Sequence, residues 1–387
     1  MPKQFERDLT DSLDMGTIPG VVVGVTSSES TQYEASFGVR STRTFAPMTV
    51  DTVFNIASMT KPIAGAAVMQ LVEKNILDLD TPASEILPYL GEVKVLVRCD
   101  EAGNVISRSP KRPLTLRHLL THTSGFSSDW CNALLEQYIS TTGHPRMSTG
   151  MKKALEVPLV FDPGEKWGYG VSMDWAGLIL EEVTGVTLHE YIRAHITEPL
   201  EMFDTTYFPS DEMKSRMTSV HTPHGNKGFQ ANEHVIASNR EYWGGGGGLY
   251  STVSDYMKFI RMILNDGRAP DSQLFEPGTI ELMTRNAMGA NRVEKLLSTN
   301  RSIANDAEFF PGLEKTWGLT FKINENKTPT GRSAGSLSWS GIFNTYFWID
   351  LEKDIGGVFL SQLQPWMDVS ALALFEKFEA SVYQDFV

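Results

Sequence analysis

The chain has 387 residues, 41% of them apolar and 21% charged. That is the balance of an ordinary soluble enzyme, and the length fits two or three domains or one large domain with an insertion. Its 34 Lys and Arg against 47 Asp and Glu leave a net charge of −13, which argues against a nucleic-acid groove and against docking on an anionic membrane. Two cysteines, Cys99 and Cys131, are too few for a disulfide scaffold or a four-ligand zinc site and read as reduced thiols of a cytoplasmic protein.

The first residues, MPKQFERDLTDSLDMG, lack the apolar run of a secretory signal. They read as an amphipathic helix with Phe5, Leu9, Leu13 and Met15 inward. Ile18–Ser28 is a β-branched strand ending in turn residues, and Tyr33–Val39 is its expected hairpin partner. From Met59 onward the pattern is helical, with Ile63, Ala67, Leu71 and Val72 on one face. Pro62 suits the first turn, so the helix begins near Ser58. No apolar run approaches the roughly 18 residues of a membrane span.

From about residue 80 to about 240 helical patterning dominates. Leu114–Gly125 reads as a helix stopped by Gly125, Phe161–Gly170 as a Pro/Gly loop, Ser172–Thr184 as a helix ended by Gly185, and Leu188–His195 as a third helix. Gly244–Leu264 opens with five glycines, then starts a helix at Thr252–Asp255 that buries Met257, Phe259, Ile260 and Ile263. No Lys-Ser/Thr follows those glycines, so close backbone packing explains them better than a phosphate loop. Strands return at Trp317–Ile323, Ser336–Asp350 and Ile355–Gln362, and Val369–Tyr383 is a closing helix. The expected fold is α/β (α+β). An antiparallel sheet flanked by helices is built from residues 1–80 and 241–387, a mostly helical domain is inserted at 81–240, and the active site lies at their interface.

Ser58-Met59-Thr60-Lys61 is an S-x-x-K sequence. Positions i and i+3 share one helix face, so Lys61 lies within reach of the Ser58 hydroxyl. The helix N-terminus adds a positive field. A serine hydroxyl is a poor nucleophile until a neighbouring base takes its proton, and a lysine can serve when its surroundings lower its pKa. Taken alone, the same four residues also fit a capping serine beside a solvated lysine.

The longer context is more specific. FNIASMTKPIAGAAVMQLVEKNILDLD around Ser58 resembles the nucleophile helix of class C β-lactamase-like serine hydrolases. LTLRHLLTHTSGF (Leu114–Phe126), FDPGEKWGYG (Phe161–Gly170) and GGGGGLYSTVSDYMKF (Gly244–Phe259) resemble their later segments, in family order. Two departures stand out. The family's Y-x-N is here Tyr169-Gly170-Val171, and its K-T-G is Trp339-Ser340-Gly341, a W-x-G like that of family VIII carboxylesterases. The resemblance implies a β-lactamase/penicillin-binding-protein-like fold and a cofactor-free serine carboxylesterase acting on short- to medium-chain or aryl esters. Ser58 would be the nucleophile, Lys61 and Tyr169 would share the proton work, and the backbone N–H groups of Ser58 and Ile342 would form the oxyanion hole. A β-lactamase or D-Ala peptidase, and an acyltransferase using the same acyl-enzyme, are the enzymatic alternatives. A binding protein that keeps the fold is the non-enzymatic one.

Rival constellations are weaker. Gly170-Val171-Ser172-Met173-Asp174 fails as a nucleophile elbow at its last position, and nothing singles out one of the eight histidines for a Ser-His-Asp triad. His118 and His122 stand at i and i+4 with no carboxylate between them, so helix capping or a buried hydrogen bond explains His122 better than a metal. His221 and His224 lie in a polar stretch and are expected at the surface. Trp130, Trp167, Trp243, Trp339 and Trp366 fall in or beside the site segments and are expected to wall an apolar pocket together with Ser340 and Gly341.

Overall fold

In the computed structural model, which describes residues 4–100, 103–225, 228–233 and 240–387, the two ends of the chain build one seven-stranded antiparallel sheet. Its order is Thr31–Gly38, Gly20–Thr26, Ile355–Leu360, Thr345–Asp350, Leu337–Gly341, Lys322–Asn324 and Lys315–Trp317. Val22 of the first sequence strand lies opposite Leu360 of the last. Strands Gly20–Thr26, Thr345–Asp350 and Ile355–Leu360 are buried throughout. Both faces are covered, which is why these strands read as continuous apolar runs rather than as alternation.

Alternate side chains of Thr345–Asp350 meet different helices, as the period of two requires. Phe347 faces Tyr256 of helix Val253–Leu264, with ring centroids 5.2 Å apart. Tyr346 and Trp348 face Phe375 and Phe378 of helix Val369–Asp385 at 4.5 and 5.6 Å. The N-terminal helix Gln4–Asp14 joins this second layer through Phe5, 4.6 Å from Phe378. Met15, expected inward, is exposed because the helix ends at Asp14.

The helix Thr60–Glu73 departs from expectation in a useful way. It is buried on every side from Thr60 to Leu71, so its one apolar face was only part of the pattern. It packs against Ser172–Thr184, Leu188–Ile192 and Pro277–Thr284. Its first turn is thereby fixed at the centre of the molecule.

Other differences have local causes. The helix at Leu116–Leu120 stops well before Gly125, because His122 takes a left-handed φ of 56°. Trp317–Ile323 is not one strand but a hairpin between Lys315–Trp317 and Lys322–Asn324, and Ser336–Asp350 likewise folds back after Gly341. Two ribbons lie in the stretch read as helical: Val95–Cys99 with Val105–Arg108, and Val220–Pro223 with Phe229–Asn232. Short, half-exposed strands such as VISR and VHTP carry little alternation to read. Among the described residues no helix is long and apolar enough to cross a membrane.

His221, expected at the surface, is fully buried on strand Val220–Pro223, whereas His224 is exposed. The His221 Nε2 accepts the Thr42 backbone N–H at 3.3 Å, which requires the neutral ring. Burial pushes its pKa from the ordinary 6.5 down to about 4. The unfolded chain therefore binds a proton at this ring near pH 6.5 and the folded chain only near 4, so stability falls as the pH drops across that window. His221→Gln is expected to remove this share of the loss, roughly 2–3 kcal/mol at 1.36 kcal/mol per pKa unit. Urea unfolding at pH 7 and pH 4.5 checks it, since an unchanged difference between wild type and variant would show the ring is not held neutral.

Candidate active site

The turn that carries Ser58 is strained and braced. Ala57 opens a short 3-10 turn, Ala57–Met59, that runs into the buried helix. Its φ is 45°, a left-handed conformation that costs an L-residue roughly 1–2 kcal/mol. Asn55 holds it by accepting the Ala57 N–H on its side-chain oxygen at 2.9 Å. The Gln362 amide in turn brackets Asn55, accepting its N–H at 2.8 Å and donating to its carbonyl at 3.2 Å. Beyond Ser58, the Met59 carbonyl accepts from the Tyr256 hydroxyl at 3.0 Å, and Thr60 Oγ1 accepts the Leu249 N–H at 3.2 Å.

Around Ser58 Oγ the separated segments converge. Lys61 Nζ donates to it at 3.1 Å, and the Tyr169 hydroxyl donates to it at 2.7 Å. Lys61 Nζ also donates to the Gly246 carbonyl at 2.7 Å and lies 4.6 Å from the Tyr169 ring centroid. The Trp339 indole N–H donates to the Tyr169 oxygen at 3.2 Å. The hydroxyl thus sits between the Tyr169 oxygen and the Lys61 nitrogen, and the pair can take its proton when one of the two is unprotonated.

These groups open onto a cleft of about 360 Å³. Ser58, Lys61, Tyr169, Ser340 and Ile342 line it, as do Trp130, Trp339 and Trp366. The aromatic rings form a closed circuit, with centroid distances of 6.1 Å for Trp130–Tyr169, 5.9 Å for Trp130–Trp366, 6.1 Å for Trp339–Trp366 and 5.1 Å for Tyr169–Trp339. Gly341 is the point of closest backbone approach. A Cβ there would lie 2.5 Å from the Ile56 carbonyl and 3.2 Å from the Ala57 Cβ, so only glycine lets the W-S-G strand reach the Ser58 turn. Two expected tryptophans are elsewhere. Trp243 packs on Tyr207 and Phe208 at 5.5 and 4.4 Å, outside the cleft lining. Trp167 is buried behind Tyr169 against Trp317.

Several lining residues carry no short-motif signal. Asp174 is buried in the cleft floor and accepts the Gly246 N–H at 3.1 Å. Burial raises its pKa, opposed by the Lys61 charge and the Gly246 N–H. Arg240 and Tyr242 line the cleft from the segment before the glycines. His122 lies under Tyr169, centroids 4.9 Å apart, with no hydrogen-bond partner for either ring nitrogen among the described residues. It neither caps a helix nor makes the expected buried hydrogen bond. The cap belongs to His118, which closes a capping box with Thr115. Burial, and then the Lys61 charge, push the His122 pKa well below the usual imidazole range, so it is a neutral aromatic support.

The beta-lactamase family profile matches residues 5–380. The chain belongs to the β-lactamase family. It is 31% identical to ML-236A carboxylate methylbutanoyltransferase of Penicillium citrinum, over 99% of this chain and 94% of that protein. It is 28% identical to lovastatin esterase of Penicillium rubens, over 90% and 89%. A variant of simvastatin synthase from Aspergillus terreus superposes with a TM-score of 0.85 at 27% identity, covering 98% of this chain and 96% of that one. The protein is therefore an enzyme of the serine hydrolase and acyltransferase type on the β-lactamase fold. The relatives are mainly acyltransferases, and the expected nearness to family VIII carboxylesterases is not specifically visible among them.

The glycine loop gives a test of the geometry. A Cβ at Gly246 would come within 2.7 Å of Asp174 Oδ2, so the carbonyl that accepts from Lys61 would have to move. Gly246→Ala is expected to slow labelling of Ser58 by a fluorophosphonate on the order of 10²-fold, the cost of about 1 Å of misplacement, with little change in Tm. Labelling at the wild-type rate would show the loop is too slack to position Lys61.

Proposed function

We propose that the protein is a serine acyltransferase. Ser58 takes an acyl group from a carboxylic ester and passes it to the hydroxyl of a small organic acceptor, with water as the competing acceptor. The observation that carries this reading is the Ser58 hydroxyl within 2.7 Å of the Tyr169 hydroxyl and 3.1 Å of Lys61 Nζ, inside an aromatic cleft. Its support from the comparisons is a methylbutanoyltransferase 31% identical over nearly the whole chain.

In this mechanism Ser58 Oγ attacks the ester carbonyl while its proton passes to the Lys61–Tyr169 pair. The N–H groups of Ser58 and Ile342 receive the charge that develops on oxygen. The indole N–H of Trp339 stabilises the Tyr169 oxygen in its unprotonated, proton-accepting form. Collapse of the tetrahedral intermediate expels the first alcohol, which takes the proton back, and leaves an acyl-Ser58. The second alcohol then runs the same steps in reverse order. The reading also places the cleft between a domain of residues 1–80 and 241–387 and an inserted one of residues 81–240.

A carboxylesterase, with water as the main acceptor, is the second reading. The lovastatin esterase relative favours it. A β-lactamase or D-Ala peptidase is disfavoured by the same wall that favours esters. Val171 replaces an amide side chain, and Trp339 stands where a β-lactam carboxylate would need a cation.

Ser58→Ala should abolish turnover of 4-nitrophenyl butyrate, and Lys61→Ala and Tyr169→Phe should each cost on the order of 10³-fold or more in kcat, as members of one unit do. Adding a primary alcohol to the wild type should divert acyl groups into a new ester, measured by mass spectrometry of the products. Free acid as the sole product at high alcohol concentration would leave the carboxylesterase reading. Trp339→Phe keeps an aromatic ring in the cleft and removes the N–H with its five-membered ring, so kcat should fall at least about tenfold, the lower end of the weight of one hydrogen bond to a charged group. An unchanged kcat would show that the indole N–H does not assist Tyr169.

A further inference from the structure

We infer that Arg240 selects a substrate bearing a carboxylate, on its acyl or its alcohol half. This rests on the acyl-enzyme reading above and adds to it the class of molecule that enters the cleft. Among the described residues three charged ones line the cleft: Lys61, Asp174 and Arg240. The first two are buried and engaged with each other's surroundings. Lys61 binds Ser58 and the Gly246 carbonyl, and Asp174 binds the Gly246 N–H. Arg240 is the exposed one.

No ion pair ties up Arg240 among the described residues. Its acidic chain neighbour Glu241 is committed to the Lys152 N–H at 2.7 Å, and Glu233 pairs with Arg43 at 3.0 Å. The stem of Arg240 lies against Gly150, where a Cβ would come 2.9 Å from its Cγ. Its charge is felt by Asp174 and by the phenols of Tyr207, Tyr242 and Tyr250, each of whose ionised forms it favours. Arg240 thus lines the cleft with its charge within electrostatic reach of the Asp174 floor.

Among the described residues the rest of the lining is uncharged and rich in aromatic rings: Trp130, Trp339 and Trp366 belong to it, and the Trp339 indole N–H is taken by Tyr169. The described lining therefore combines an apolar aromatic cluster with one exposed cation, which orients an amphiphilic molecule with its anionic end toward Arg240. The chain as a whole carries −13, so its long-range field repels anions. An unpaired guanidinium in the cleft of such a protein supplies the local attraction that an acidic substrate needs. A guanidinium suits a carboxylate because its fork can donate two parallel hydrogen bonds.

The test uses three esters: neutral 4-nitrophenyl butyrate, mono-4-nitrophenyl glutarate with the acid on the acyl half, and 4-(butyryloxy)benzoate with the acid on the alcohol half. The measured quantity is the ratio of kcat/KM for each acidic ester to that for the neutral one. In Arg240→Gln this ratio is expected to fall about tenfold for at least one acidic ester, with Arg240→Lys intermediate. Whichever ester responds shows which half of the substrate carries the anion. Added NaCl should lower this ratio in the wild type relative to Arg240→Gln, in which screening of the chain's overall negative charge holds the ratio level or raises it. Ratios unchanged for both acidic esters would overturn the inference, while intact phosphonate labelling of Ser58 would show that the acyl-enzyme reading still stands. Loss of that labelling in the wild type, with none of the esters turned over, would instead bring down the underlying reading and the inference with it.

Discussion

Everything at this site depends on holding one hydroxyl between the nitrogen of a lysine on its own helix and a phenol from a distant part of the chain. Ser58 and Lys61 are one helical turn apart, but Tyr169 arrives on a loop 111 residues further on. Side chains alone cannot enforce distances of 2.7 and 3.1 Å; the backbones behind them must be in contact. That contact is bought with glycine. At Gly341 the third-motif strand meets the Ile56–Ala57 turn, and at Gly246 the glycine loop meets Asp174. A methyl group at either place would separate segments that must touch, and a shift of this size is felt directly in a reaction that depends on orientation.

Part of this was legible in the residues. The S-x-x-K spacing, the two helix starts near Ser58 and at Thr252–Asp255, and the hairpin at the N-terminus follow from local rules, and the structure places them where those rules do. Trp130, Trp339 and Trp366 line the cleft as read. Trp243 does not, because closeness in sequence to the glycine loop says nothing about which side of the chain faces inward. His221 reads as a loop residue because Pro223 and its polar neighbours hide a short ribbon. Asp174, Gln362 and Arg240 leave no short pattern. They act by meeting residues more than 70 positions away, as Asp174 meets Gly246 and Gln362 meets Asn55, and such contacts exist only once the chain is folded.

The chemistry of the walls bears on the choice between water and an organic acceptor. An acyl-enzyme is indifferent to which oxygen attacks it, so the outcome is set by local concentration and orientation. A cleft bounded by Tyr169, Trp130, Trp339 and Trp366 lowers the effective presence of water and raises that of an apolar alcohol, since apolar surface removed from water contributes roughly 25 cal/mol per Å². Binding that orients a hydroxyl toward the acyl carbon adds an entropic advantage that water does not share. Transfer and hydrolysis are therefore two ends of one scale for this architecture, and small changes in the aromatic wall move a protein along it.

Trp339 shows how the same scaffold changes substrate. A lysine at that position would present a mobile point charge to a substrate carboxylate. The indole instead gives one N–H in a fixed direction, and that N–H is directed at the Tyr169 oxygen at 3.2 Å. The donor has been turned from the substrate to the machinery. Its ring, packed at 4.7 Å against Trp317 and 5.1 Å against Tyr169, also holds the phenol in place over Lys61. With the cation gone from this strand, a positive charge for substrate has to come from elsewhere in the lining, and among the described residues Arg240 is the exposed cation there. Exchanging lysine for tryptophan thus does more than remove a binding contact. It leaves Arg240 as the exposed cation of the described lining while the Ser58–Lys61–Tyr169 geometry stays intact.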